Sequence, residues 1–315
     1  MFKLVLRVMT MRRKLSILIY HQVLADYDPM RPDEMDAATF EQHMHWLKDN
    51  FTVLKLSEAV NGLKQGTLPA NAAVVTFDDG YENNASVALP ILQKLNLSAT
   101  FFIASDFLNG GAMWNDKVIE TVRHWQDDVI RLEWTKAKDF DTSSPQARTE
   151  SAKRLLLEFK YLPLELRANA ADAFAGELAK NMRLMMTDEQ VIELHKAGME
   201  IGGHTCSHPI LATLDDEQAL AQIVNNKQYL ENLLGESISS FAYPNGKPDT
   251  DYTLATKSLV AKAGYDCAVS TSYGISDANT DWYQIPRFTP WRNDRFGFLS
   301  LLIKNYFNRA KLASA

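Results

Sequence analysis

Ala73-Val74-Val75-Thr76-Phe77 is a short apolar and β-branched run, and Asp78-Asp79-Gly80 ends it with two carboxylates and a turn residue. A run of this length and composition, closed by glycine, reads as a buried strand. Directly after it, residues 84–95 carry Val87, Ala88, Ile91, Leu92 and Leu95 at helical spacing. The same strand-then-helix rhythm recurs along the chain. Strand-like runs lie at 16–20, 100–104, 200–203, 239–243, 267–270 and 285–289, and helical patterns at 37–50, 57–64, 187–197 and 215–234, the last closed by Gly235. Repeated βα units imply an α/β fold with a mainly parallel sheet or barrel. In such folds sites form at strand ends, where Asp78 and Asp79 stand.

Residues 106–186 break the rhythm, with three helical patterns at 116–126, 146–159 and 164–184 and, at most, one strand at 129–134. They read as a helical insertion or cap on a single unit spanning 1–315, whose core covers about 15–105 and 187–290. Setting them aside leaves a length inside the range of roughly 200–250 residues typical of one barrel. The 315 residues are 46% hydrophobic and 23% charged, which excludes disordered and fibrous classes. Lys plus Arg is 33 against 39 Asp plus Glu, a net charge of −6 without a basic block, so nucleic acid is not an expected partner.

Two cysteines, Cys206 and Cys267, make no disulfide framework and mildly favour a reducing compartment. No window reaches the roughly 18 apolar residues of a membrane span, and the run after Arg12-Arg13-Lys14 is shorter than a signal segment. The expectation is therefore a cytoplasmic rather than a secreted protein. Residues 1–9 alternate basic and apolar, as a membrane-surface segment can, though a frayed terminus is the plainer reading.

The chemistry gathers in two places. Adjacent residues of a strand point to opposite faces, so Asp78 and Asp79 share a cavity only if the chain twists near Gly80; one carboxylate then suits a metal ion and the other a base. Alone, Asp-Asp-Gly reads first as a polar strand-to-helix turn with Asp as cap. The second place is His204-Thr205-Cys206-Ser207-His208-Pro209, where two histidines four apart would share one face of a helical turn. Together the motifs form a two-histidine, one-carboxylate set with open positions, as in hydrolytic metal centres. Cys206, between the histidines, reads as a small buried thiol rather than a ligand. His43, His45, His124 and His195 have no such neighbours and read as structural or exposed.

The segments Thr76–Gly80 (TFDDG), His204–Pro209 (HTCSHP) and Phe241–Gly246 (FAYPNG), in this order, resemble the polysaccharide deacetylases with a NodB homology domain, carbohydrate esterase family 4. The resemblance implies a distorted (β/α)7 barrel and metal-dependent removal of acetyl groups from N-acetylated glycans. By it Asp79, His204 and His208 are the metal ligands, Asp78 is the catalytic base, and the Asn245 backbone N–H faces the oxyanion. One divalent ion is implied, zinc by its ligand set, with nickel, cobalt or manganese as alternatives.

Two positions depart from the family pattern. Many members carry an Arg and a Tyr in the third motif where this chain has Ala242 and Asn245, and no His follows His208 to act as the late general acid. His21, directly after the first strand in Tyr20-His21-Gln22-Val23, resembles the early acid of the poly-N-acetylglucosamine deacetylase subgroup, which implies a place in exopolysaccharide biosynthesis. In a closed barrel the first and last strands are neighbours, so either delivers a side chain to one cavity. Arg287, on the last strand-like run, is the candidate to replace the missing Arg and keep Asp78 ionised. Trp114, Tyr243, Trp282 and Trp291 are candidate sugar-contacting residues. The alternatives are a related hydrolase of another carbon–nitrogen amide, or a non-catalytic carbohydrate-binding barrel.

Overall fold

The computed structural model describes residues 13–160 and 162–314, so the reading of residues 1–9 lies outside the described residues. Six parallel strands stand side by side in the order β1 (Leu15–Tyr20), β3 (Ala72–Phe77), β4 (Thr100–Ile103), β5 (Glu200–Gly203), β6 (Ser240–Ala242) and β7 (Cys267–Val269). The short β2 (Thr52–Val53) pairs with the start of β3. Alternate residues along these strands divide between two apolar clusters. Ile17, Val74, Phe102, Ala242 and Val269 pack inside the curled sheet, while Leu18, Val75, Phe101, Phe241 and Ala268 pack outward against the helices. With both faces covered, every residue of β1 and β3 is buried, which is why these strands read as unbroken apolar runs.

The segment at 285–289, expected as a strand, is not one. Pro286 has no N–H to give to a ladder, so the chain pairs only through single bridges. These still close the ring: Ile285 N–H donates to Ala268 O at 2.9 Å, and Phe288 N–H donates to Ile17 O at 3.0 Å. The result is a distorted barrel with six regular staves and one irregular one.

The helices match the sequence patterns at Ala37–Asn50, Leu56–Gln65, Asp188–Lys196 and Asp216–Leu234, the last two each capped by a Thr or Asp at the expected position. Residues 84–95 form a wide π turn, Asn84–Ala88, running into the helix Leu89–Leu95. Pro90 explains the change of pitch, since its missing N–H breaks the regular helical ladder. Between β4 and β5 lie the helices Trp114–His124, Pro145–Lys160, Leu164–Ala175 and Glu177–Asn181 and an antiparallel pair, Val129–Arg131 with Asp139–Asp141. The pattern at 164–184 is therefore broken, at Gly176 with φ 54°. This segment has its own apolar cluster, including Val118, Phe140, Leu155 and Phe159. Arg31 fastens it to the barrel, 2.7 Å from Asp116 and 2.8 Å from Glu120.

Candidate metal centre and active site

The pleat of β3 puts Val74, Thr76 and Asp78 on the barrel's inner side, as alternation requires. Asp79 would face away, but its own φ is +79° and that of Gly80 +93°, so the chain leaves the strand in a left-handed turn. The twist expected at Gly80 thus begins one residue earlier, and both carboxylates reach one cavity of about 350 Å³.

The two histidines meet Asp79 without a helix. The residues between them form a loop in which Thr205 (φ 65°) and His208 (φ 54°) are left-handed, so the expected helical turn is wrong. The loop is held from outside itself: the Gln222 side-chain carbonyl accepts from Cys206 N–H at 3.1 Å and Ser207 N–H at 2.9 Å, and Thr205 Oγ1 accepts from His208 N–H at 3.1 Å. Gly202 and Gly203 are needed just before it, because a Cβ at 203 would collide with the Tyr265 hydroxyl and one at 202 would lie 2.5 Å from Phe102. Asn226, on the buried stripe of Asp216–Leu234, accepts from His204 N–H at 3.1 Å and donates to Ile103 O at 3.0 Å. Cys206 is half-buried with its Sγ 3.5 Å from Gln222 O, a structural thiol as expected.

The geometry suits a cation. His204 Nε2 and His208 Nε2 each lie 3.3 Å from Asp79 Oδ1, and the three ligand atoms fall within 4.8 Å of one another. Asp79 Oδ1 is buried and takes no hydrogen bond among the described residues. His204 Nδ1 lies 2.8 Å from Ala242 O; a carbonyl only accepts, so Nδ1 carries the proton and Nε2 turns its lone pair to the cluster. Burial opposes charge on Asp79, yet His208 and the His204 contact hold its pKa below the ordinary carboxylate range. Burial lowers His208 to about 4, keeping it a neutral ligand. Burial also opposes charge on His204, but Asp79 and Asp78 beside it leave its pKa raised.

Arg287 lies beside Asp78. It is fully buried, with Nη1 2.6 Å from Asp78 Oδ1 and Nη2 2.7 Å from Asp78 Oδ2. Nη1 also donates to Thr76 Oγ1 at 3.1 Å and Nε to Ser270 O at 3.1 Å. Its Cζ lies 5.4 Å from the Phe102 ring centre, inside the barrel. Burial would raise Asp78, but the guanidinium beside it holds the carboxyl below its ordinary range.

His21, Trp114 and Asn245 line the same cavity as Asp78, Asp79, His204 and His208. Asn245 sits exposed on the rim at φ 57°, with its carbonyl taken by Thr271 Oγ1 at 2.7 Å, and no described residue accepts from its N–H. Trp291 also lines the cavity. Tyr243 does not. Alternation along β6 turns it outward with Phe241, where its ring stacks on Tyr252 at 4.0 Å and its hydroxyl donates to Tyr283 O at 2.9 Å, so it is a core residue. Trp282 packs on the inner cluster under Lys64. His43 is buried between Tyr20 OH and Arg292 O, as a structural histidine should be.

Sequence patterns missed Glu34, Lys160 and Arg167, which also line the cavity. Glu34 lies between a turn and the two-residue strand Met35–Asp36, Arg167 lies in the helix Leu164–Ala175, and neither position has a distinctive local pattern. Glu34 accepts from Gln22 N–H at 3.1 Å; burial raises its pKa, against the opposing charge of His21.

Three comparisons bear on this arrangement. Residues 65–132 and 164–268, more than half of the chain, match the family model described as Polysaccharide deacetylase. YxkH of Bacillus subtilis (strain 168), assigned by name to the polysaccharide deacetylases, is 24% identical over 276 residues, covering 87% of this chain and 70% of the relative. The deacetylase PplD of Streptococcus pyogenes, solved in complex with acetate, shares the fold with a TM-score of 0.59 at 21% identity, over 88% of this chain and 92% of that one. IcaB from Ammonifex degensii gives 0.59 at 17% identity, over 91% and 97%. The chain belongs to the polysaccharide deacetylase family, with the family's NodB-like barrel, and is a hydrolase of carbon–nitrogen bonds other than peptide bonds.

Proposed function

We propose that the protein removes the N-acetyl group from amino sugars of a polysaccharide or its glycan precursor, using one divalent metal ion held by Asp79, His204 and His208. The observation that carries this reading is the buried Asp79 Oδ1, equidistant at 3.3 Å from two imidazole nitrogens and without a hydrogen bond. Two nitrogens and one carboxylate suit zinc, and leave positions open. When bound, the ion supplies Lewis acidity that polarises the acetamide carbonyl and lowers the pKa of water.

The chain's own residues supply the rest. Asp78, kept ionised by Arg287, accepts the proton of the attacking water on a lone pair that the guanidinium leaves free. The Asn245 N–H donates to the developing oxyanion, and His21 hands a proton to the departing amine. Arg287 touches no substrate and is a positioning residue. Residues 106–186 act as a cap that builds one wall of the cavity.

Acetate release from a panel of N-acetylglucosamine oligomers tests this, with His21→Ala beside the native protein. Loss of roughly 10²–10⁴-fold in turnover is expected on removal of the acid. Native-like release by His21→Ala would assign the acid elsewhere, and no release from any glycan would move the reading to a different amide.

A further inference from the structure

Arg167 stands in the first turn of Leu164–Ala175 and lines the cavity that holds Asp79, His204 and His208. It is only 8% exposed. Its Cζ lies over the Trp114 ring, 5.0 Å from the ring centre, so the guanidinium makes a cation–π contact with an indole. Among the described residues no carboxylate, carbonyl or hydroxyl accepts a hydrogen bond from its side chain. The other two buried arginines differ: Arg31 is paired with Asp116 and Glu120, and Arg287 with Asp78.

Burying a guanidinium without an acceptor is costly. The Trp114 ring beneath it recovers part of that cost, but a ring face accepts no in-plane hydrogen bond from the N–H donors. Burial pushes Arg167 downward and no carboxylate opposes the shift. Lys160, at the end of the neighbouring helix Pro145–Lys160, lines the same wall and has no ion-pair partner within 4 Å among the described residues. Besides Asp78 and Asp79, the cavity's carboxylates are Asp33 and Glu34, which belong to the segment before Ala37–Asn50, outside this wall. A guanidinium lining the cavity offers a planar fork of donors that matches the two oxygens of a carboxylate or phosphate.

We propose that Arg167, assisted by Lys160, is an anion subsite that binds a carboxylate or phosphate substituent of the acetylated glycan while its acetamide sits at Asp79, His204 and His208. This rests on reading the cavity as the deacetylase site and narrows the substrate to acidic amino-sugar glycans. It also gives the insertion a part in substrate choice.

The test compares acetate release from three substrates: a neutral N-acetylglucosamine oligomer, N-acetylmuramic acid oligomers bearing a carboxylate, and N-acetylglucosamine 1-phosphate. For the native protein kcat/KM should be about tenfold or more higher for one anionic substrate than for the neutral one, and that substrate names the anion. Arg167→Met should bring the ratio close to one, mainly through KM, and Arg167→Lys should restore part of it. Thermal unfolding of Arg167→Met should occur at or above the native temperature, because an unpaired buried charge is gone. Release from the neutral oligomer with no anionic preference, or a preference that survives Arg167→Met, would overturn the subsite and leave the deacetylase reading standing. If no substrate is cleaved, that reading fails, and calorimetry with inorganic phosphate and N-acetylglucosamine 1-phosphate decides the subsite: salt-sensitive binding lost in Arg167→Met supports it, and absent or unchanged binding overturns it.

Discussion

Replacing Arg287 with methionine should cost about 3–5 kcal/mol of folding stability and abolish acetate release, because it strands a carboxylate inside the barrel. Asp78 has both oxygens on Arg287, at 2.6 and 2.7 Å, and the guanidinium is fully buried. Methionine offers no donor in place of the guanidinium, and Asp78 itself is only 3% exposed. The acid limb carries a second signature. Asp78 titrates below its unfolded value, so its contribution is complete above the ordinary carboxylate range and is lost as pH falls through the lowered native value. Denaturant midpoints measured down that range should show this loss in the native protein and not in Arg287→Met. The double variant Asp78→Asn/Arg287→Met should regain part of the stability and none of the turnover. A single Arg287→Met variant as stable as the native protein would mean that the pair is incidental.

His204→Ala is the second large effect, and it should remove bound metal and turnover together. His204 is buried, its Nδ1 is committed to Ala242 O at 2.8 Å, and its backbone is held by Asn226 at 3.1 Å. Losing one of three protein ligands should weaken metal affinity by more than the 10–100-fold typical of changes just outside the ligand set. Asp78→Asn should behave differently, keeping the metal while losing turnover. Metal content by elemental analysis separates the two outcomes, and an Asp78→Asn protein without metal would exchange the roles assigned to the two carboxylates.

Much of this was legible because the barrel buries both faces of its strands: the runs at 73–77 and 16–20 can hardly be anything else, and caps at Thr187 and Asp215 mark their helices. The cluster of Asp79, His204 and His208 was legible for a different reason, that its residue types and order are chemically uncommon together. What sequence periodicity could not show is backbone handedness. Asp79, Thr205 and His208 all adopt positive φ, a conformation no periodic pattern encodes, and so the histidine motif was read as helical when it is a loop. Tyr243 was misplaced because one residue of phase along β6 separates the cavity from the outer core. Arg287 was found by asking what charge Asp78 lacked, whereas Arg167 is visible only once the fold sets it on Trp114 beside the cavity.

Deacetylation by this protein should require an ion held by Asp79, His204 and His208. Acetate release from an N-acetylglucosamine oligomer should be measured on the native protein, on the same protein stripped with a chelator, and after zinc is restored. Release that disappears on stripping and returns with zinc, while His204→Ala stays inactive throughout, is the predicted result. Release at the native rate from stripped protein, or from His204→Ala, would contradict the metal centre itself.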